Sequence, residues 1–129
     1  MDKPHKRLVV WQKSLDLVRE VYQLTQKFPS DERFGLTAQM RRAAVSIVSN
    51  ISEGAARQSK AEFLQFVQIA MGSISELDTQ MEICRMLGFV TAKEMEHLNV
   101  RMNEVDRLLI GLRNYLRRKL KASKVRKER

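Results

Sequence analysis

Two long stretches of the sequence place apolar residues at alternating intervals of three and four. The first stretch comprises Phe63, Val67, Ala70, Ile74, Leu77, Met81 and Cys84. The second comprises Met95, Leu98, Met102, Val105, Leu109, Leu112 and Leu116. This seven-residue repeat is typical of helices that pack along their length, and five glycines and two prolines are too few for the turns of a β-sandwich or barrel. The repeat therefore predicts an all-α fold of long helices.

Four helices are predicted from where the apolar spacing starts and stops. Capping boxes, in which a hydroxyl and a glutamate satisfy free N–H groups, begin the third helix at Ser59 and the fourth at Thr91. Pro29 ends the first helix, and Gly54 and Gly88 are suited to cap the second and third. The four predicted spans are about 9–28, 36–54, 60–87 and 92–120.

The links between these helices predict how the helices are arranged. Only residues 88–90 join the third and fourth helices, and so short a link favours an antiparallel hairpin. We therefore expect residues 1–120 to form one domain, an antiparallel up-and-down four-helix bundle. We expect residues 121–129 to form a basic, disordered tail, because they are strongly charged and lie at the end of the chain.

Positive charge is concentrated near the C-terminal end of the sequence. The formal net charge is +9, and residues 113–129 hold nine lysines and arginines against one acid. Residues 1–112 hold fifteen basic and fourteen acidic residues and are therefore close to neutral. A basic segment on a neutral body is suited to an anionic partner such as nucleic acid. The tail contains no aromatic residue, so we expect contacts to phosphates and shape with little reading of bases.

The sequence predicts binding to RNA in preference to DNA through exposed lysines and arginines. The predicted phosphate-binding residues are Arg41, Arg42, Arg57, Lys60, Arg113, Arg117, Arg118, Lys119, Lys121, Lys124, Arg126 and Lys127. A simpler interpretation also stands, in which the cations at 117–119 only complement the negative end of the helix dipole and the tail aids solubility.

A line of polar residues follows the predicted second and third helices beside their apolar stripes. The line consists of Arg42, Ser46, Asn50, Glu53, Ser73 and Glu76. One interpretation is a buried structural layer, in which Arg42 would pair with Glu76 or Glu53. The other interpretation is a ligand or RNA site.

No residue pattern indicates catalysis, a metal or a cofactor. The single cysteine, Cys84, falls on an apolar stripe, where cysteine acts as a small hydrophobic residue. Glu94 and His97 match a Glu-x-x-His pattern once, whereas a di-metal site in a helix bundle needs two. We therefore predict a protein that is not an enzyme.

The longest stretch without a charged residue has 13 residues, at positions 63–75. A membrane-spanning helix needs about 20 apolar residues, so no contact with a membrane is expected. The N-terminal residues do not have the pattern of a secretory signal, and we predict a cytoplasmic protein.

Several segments together carry a resemblance to a known family. These segments are residues 11–15, 28–29, 34–36, 39–47, 50–54 and 72–77. The sequence resembles the four-helix-bundle proteins encoded in intervening sequences of bacterial 23S ribosomal RNA genes, over roughly residues 8–116. The run from 39 to 54 is the most specific part. The family pattern includes Arg41, Arg42, Ser46, Asn50, Glu53, Gly54 and Glu76, without a known role for any of them.

The resemblance implies a ring-like homopentamer without known enzymatic activity. The family is similar in fold to the accessory variability determinant of diversity-generating retroelements, a basic pentamer that binds a reverse transcriptase and nucleic acid. The basic tail and the resemblance together leave two functions open. The first is an oligomeric RNA-binding protein, and the alternative is a protein-interaction scaffold or accessory subunit of a reverse transcriptase.

Overall fold

The computed structural model describes residues 1–128, which form four α-helices and contain no β-strand. The helices are α1 (Val9–Thr25), α2 (Leu36–Ala55), α3 (Lys60–Leu87) and α4 (Ala92–Glu128). Single 3-10 turns lie at Pro4–Arg7 and Ser30–Glu32. The all-α fold predicted from the apolar spacing is confirmed.

The seven-residue apolar repeat forms the core of a four-helix bundle. Twelve of its fourteen residues are buried, and the other two, Phe63 and Leu112, pack partly buried against the same core. Leu17 and Val21 of α1 and Met40 and Ile47 of α2 complete this core with no exposed surface. Burial of these side chains supplies most of the free energy that holds the helices together.

Helix α1 carries two apolar stripes, an inner one with Leu17 and Val21 and an outer one with Leu15 and Tyr22. Leu17 and Val21 lie in the core, whereas Leu15 and Tyr22 are 41% and 39% exposed. Trp11 is half-buried, and its Nε1 donates a hydrogen bond of 2.9 Å to Ser52 Oγ. The outer stripe therefore leaves apolar surface on the outside of the bundle.

Charged pairs connect α1, and the turn that follows it, to α4. Lys13 Nζ lies 3.1 Å from Glu104 Oε1, Arg101 Nε lies 3.1 Å from Glu20 Oε1, and Lys27 pairs with Glu94. The hydrogen bond from Lys27 lowers the pKa of the Glu94 carboxyl, and that from Lys13 lowers the pKa of Glu104. Residues that come later in the first part of the chain pair with residues that come earlier in α4.

The first helix ends three residues earlier than predicted. A turn follows Thr25, in which the Phe28 N–H donates to the Thr25 carbonyl at 3.1 Å. Pro29 disfavours helical backbone at Phe28, so the chain leaves the helix before it. The turn carries Phe28 into the core, where its ring centroid lies 5.5 Å from that of Phe89.

Gly54 does not cap the second helix as predicted, because α2 continues through it to Ala55. Its backbone has no positive φ, unlike that of Gly88, whose φ of 76° caps α3 as expected. A Cβ built on Gly54 would lie 2.7 Å from Phe63 Cδ1 and 2.8 Å from Phe66 Cβ. Glycine is required here by the close contact between α2 and α3.

The predicted disordered tail is wrong for the residues that the structure describes. Helix α4 does not stop near Leu120 but continues to Glu128, and Arg129 lies outside the described residues. Lysine, arginine, leucine and alanine are good helix formers, and no glycine or proline follows Gly111. The helix therefore extends although its last turns are hardly buried.

Cys84 is expected to be unreactive in the folded protein. The thiol is buried, 3.4 Å from Met40 Sδ, and burial raises its pKa to about 11. At pH 8 roughly one thiol in a thousand would be ionised, and the thiolate is the reactive form. Titration with a chromogenic disulfide at pH 8 should label less than a tenth of the folded protein in an hour and all of it in concentrated urea. Rapid labelling without urea would contradict this burial.

Candidate nucleic-acid interface

The C-terminal part of α4 forms a basic projection from the bundle. Leu116 is the last buried residue of the helix, and we call residues 117–128 the α4 extension. The extension contains seven lysines and arginines and one acid, and its length is about 18 Å at 1.5 Å per residue. Its cationic side chains are all exposed and form no ion pair with any residue from 1 to 128.

Three other predicted phosphate-binding residues, Arg57, Lys60 and Arg113, have mixed surroundings. Arg113 donates through Nε to Asn114 Oδ1 at 3.4 Å, and Lys60 is exposed at the start of α3. Arg57 lies in the link between α2 and α3, where its guanidinium carbon is 5.0 Å from the centre of the Phe66 ring. Its Nε is also 4.0 Å from Glu62 Oε2, so the charge of Arg57 is partly balanced.

Arg41 and Arg42 form part of a different surface, at the other half of α2. Arg41 Nε donates to Thr25 Oγ1 at 2.9 Å, and its guanidinium carbon lies 4.4 Å from the centre of the Tyr22 ring. Arg42 and Arg57 are fifteen residues apart in the sequence, or about 22 Å along a helix. The predicted set of cations is thus divided into two regions.

Three residues of this second surface, Tyr22, Arg33 and Phe34, were missed by sequence reasoning. Arg33 and Phe34 lie in the connector before α2, with the Arg33 guanidinium carbon 5.1 Å from the centre of the Phe34 ring. We call Tyr22, Arg33, Phe34, Arg41 and Arg42 the arginine–aromatic patch. The patch lines a shallow groove of about 500 Å³. The only sequence signal was an arginine and a phenylalanine side by side in a turn.

The predicted polar layer is only partly assembled. Ser46 Oγ and Ser73 Oγ are 2.9 Å apart, and Asn50 Nδ2 donates to the Ser46 carbonyl at 2.8 Å. The predicted pairing of Arg42 with Glu76 or Glu53 does not occur. Because Arg42 points away from the buried face of α2, water solvates its charge and no buried carboxylate is needed.

Glu53 and Glu76, the two acids of the predicted layer, are both exposed. Glu76 Oε1 accepts a hydrogen bond of 3.2 Å from Gln80 Nε2, within α3. The structure therefore reduces the layer to three small polar residues, Ser46, Asn50 and Ser73, that connect α2 to α3. Their mutual hydrogen bonds favour the structural interpretation over the ligand site.

A second cavity, of about 370 Å³, lies between α1 and α4. His97 Nε2 there is 3.1 Å from Glu20 Oε1, while Glu94 pairs with Lys27. The Glu94 and His97 side chains are thus engaged with different partners. Within residues 1–128, no group of three histidine, cysteine, aspartate or glutamate side chains is placed to hold a metal ion.

Fold and surface together define an all-α bundle protein with two separate basic regions. The family of 23S rRNA-intervening sequence proteins matches residues 6–111, and the chain belongs to this family. The match includes the arginine–aromatic patch and ends before the α4 extension. The family resemblance inferred from the sequence is confirmed.

A solved structure shares this fold. It is a protein of unknown function from the S23 ribosomal protein family of Bacteroides thetaiotaomicron, with 27% identity and a TM-score of 0.73. The similarity covers 81% of this chain and 98% of that one. No curated protein matches the sequence. None of the helices within residues 1–128 has the length and apolarity needed to cross a membrane.

Proposed function

We propose that this chain is a non-enzymatic RNA-binding protein of the cytoplasm that holds phosphates through the α4 extension. The observation that carries the proposal is the helical segment 117–128, which has seven exposed cations and one acid and whose cations have no ion-pair partner among residues 1–128. Unpaired cations on a projecting helix are available to phosphates without first breaking internal pairs. The family is named for intervening sequences of 23S rRNA, so the name states where its proteins are encoded and not what they bind, and we take RNA as the proposed ligand on that association.

The proposed arrangement of the helices is an antiparallel up-and-down bundle. It is supported by the order of the contacts between α1 and α4, which runs from Lys13 with Glu104 to Glu20 with Arg101. In this arrangement the link between α2 and α3, with Arg57 and Lys60, lies at the same end as the α4 extension. One end of the bundle would then present most of the predicted phosphate-binding residues.

The proposed assembly is a ring-like homopentamer. It is supported by the family resemblance and by the apolar surface that Val9 and Leu15 leave exposed on α1. Five copies would present five α4 extensions to one RNA, and multivalency would raise the affinity well above that of one copy. Light scattering measures the solution mass, which gives the number of copies in the assembly without RNA and shows whether RNA binds when it is added.

The experiment replaces Arg117, Arg118, Lys121 and Lys124 by glutamine and measures RNA affinity at several salt concentrations. If these four side chains contact four phosphates, affinity should depend less on salt, and the negative slope of log affinity against log salt should become smaller in magnitude by about 3. Affinity at 0.1 M salt should decrease on the order of 100-fold. Affinity and slope equal to those of the unaltered protein would overturn the proposal. The matched control, which removes four charges from the body, replaces Arg19, Arg85, Lys93 and Arg107 by glutamine and should change neither by much.

A second candidate function is a protein-interaction scaffold, or an accessory subunit of a reverse transcriptase. Met86 and Leu87 at the end of α3 favour it, since both are large apolar residues with at least half of their surface exposed. A reverse transcriptase that co-purifies after nuclease treatment, and that Met86→Ser with Leu87→Ser releases, would support this function. Loss of co-purification on nuclease treatment would instead indicate that RNA joins the two.

A further inference from the structure

We propose that the arginine–aromatic patch is a stacking site for unpaired bases of single-stranded RNA. This proposal rests on the proposed RNA binding and adds to it a contact with bases, at a place separate from the α4 extension. The sequence alone predicted phosphate contacts with little reading of bases, because the tail has no aromatic residue.

The first support is the position of Phe34. Its side chain is 87% exposed, the largest exposure of any aromatic residue within residues 1–128. The connector that carries it is fixed at both sides, because Glu32 Oε2 accepts from the Leu36 N–H at 3.0 Å and the Gly35 N–H donates to the Glu32 carbonyl at 3.1 Å. An ordered turn thus holds the ring in water. Exposure of its apolar surface costs free energy, and a base stacked on the ring would cover that surface.

The second support is the ordered pair of Tyr22 and Arg41. The guanidinium of Arg41 lies over the Tyr22 ring and is held by the Thr25 hydroxyl and by the Tyr22 carbonyl, at 2.9 and 3.5 Å. A guanidinium fixed in this way loses little side-chain freedom when a ligand binds. Its plane and the partly exposed Tyr22 ring are both surfaces on which a base can stack.

The third support is charge. Three arginines, Arg33, Arg41 and Arg42, line the groove, and within residues 1–128 no carboxylate lines it. The nearest acid in sequence, Glu32, is engaged in capping α2. A ligand that matches this groove carries negative charge and flat unsaturated rings together, as a nucleotide does. Bases in a duplex are already stacked, so the groove favours a single strand.

The test compares Phe34→Ala with the unaltered chain, using a 15-nucleotide oligouridine and a 15-base-pair RNA duplex as probes. Stacking on one aromatic ring should make oligouridine binding about tenfold weaker in the variant, and duplex binding should stay within twofold. Phe34→Leu should behave like Phe34→Ala, because leucine is apolar but has no flat ring. Phe34→Trp should retain binding, and oligouridine should quench its added fluorescence.

The matched control is Ile69→Ala, which removes a side chain that is 52% exposed on α3 and should leave both affinities unchanged. Equal loss of affinity for strand and duplex in Phe34→Ala would overturn the stacking site. A change in solution mass of Phe34→Ala without RNA would also overturn it and would assign the patch to contact between copies of this chain.

The two proposals fail in different ways. In the first case, the glutamine variant of the α4 extension keeps its affinity and salt slope, while Phe34→Ala weakens binding of oligouridine but not of the duplex. The extension is then not the phosphate site, and the stacking site stands. If Phe34→Ala has no effect while the extension variant loses affinity, only the stacking site is wrong. If the unaltered chain binds neither probe at 50 mM salt, both proposals are wrong.

Discussion

Replacing Gly54 by valine is expected to lower the free energy of unfolding by about 3 kcal/mol. The first side-chain atom alone would lie 2.7 Å from Phe63 Cδ1 and 2.8 Å from Phe66 Cβ, closer than carbon atoms can approach. The Phe63 ring can rotate, but the Phe66 Cβ is fixed to its backbone. The added atoms would therefore push α3 away from α2, along an interface that includes Ile51 and Val67 in the core.

Urea denaturation measures this effect, and two other glycines provide the control. Gly72 and Gly111 also lie inside helices, but a Cβ at either would have no neighbour within 4 Å. Alanine there should raise the free energy of unfolding by up to about 1 kcal/mol, because alanine is the better helix former. A Gly54→Val variant as stable as the unaltered chain would show that α2 and α3 are not in such close contact.

Replacing Leu109 by alanine is expected to lower the free energy of unfolding by about 2–5 kcal/mol. The side chain is completely buried in the core on α4, so its removal takes away apolar contacts and leaves a cavity. Domains of this size are stabilised by about 5–15 kcal/mol in total, so one such change removes a large part of the stability.

The control for Leu109 is Val100→Ala on the same helix. Val100 is 59% exposed, and its truncation should change the free energy of unfolding by no more than about 0.5 kcal/mol. Both variants are compared by thermal and urea unfolding of the same assembly. Equal effects of the two substitutions would mean that Leu109 does not lie in the core.

The features that the sequence predicted well depend on neighbours in the chain. The spacing of Ile74, Leu77 and Met81 identified the buried face of α3, because helix geometry repeats along the sequence. The box at Thr91 forms as predicted, with the Glu94 N–H donating to the Thr91 hydroxyl and the Thr91 N–H to the Glu94 carboxylate.

The features that the sequence did not predict depend on residues far away in the chain. Gly54 was interpreted as a cap, because its contact with Phe63 and Phe66 requires knowledge of how α3 lies on α2. The patch was missed because Tyr22 and Arg33 come from different elements and meet Arg41 only in the fold. Arg42 does not form the predicted ion pair, because its side chain lies on the outside of the bundle, where water solvates its charge.

The end of α4 is a single helix with mostly positive charges, and the stability of this helix depends on the ions in solution. Arg117, Lys121 and Lys124 follow one another at intervals of four and three, so they repel one another by a few tenths of a kcal/mol per pair. No tertiary packing offsets that repulsion, but dissolved anions screen it. A polyanion bound along this segment would neutralise these charges, so polyanion binding and the stability of the helix end are thermodynamically linked.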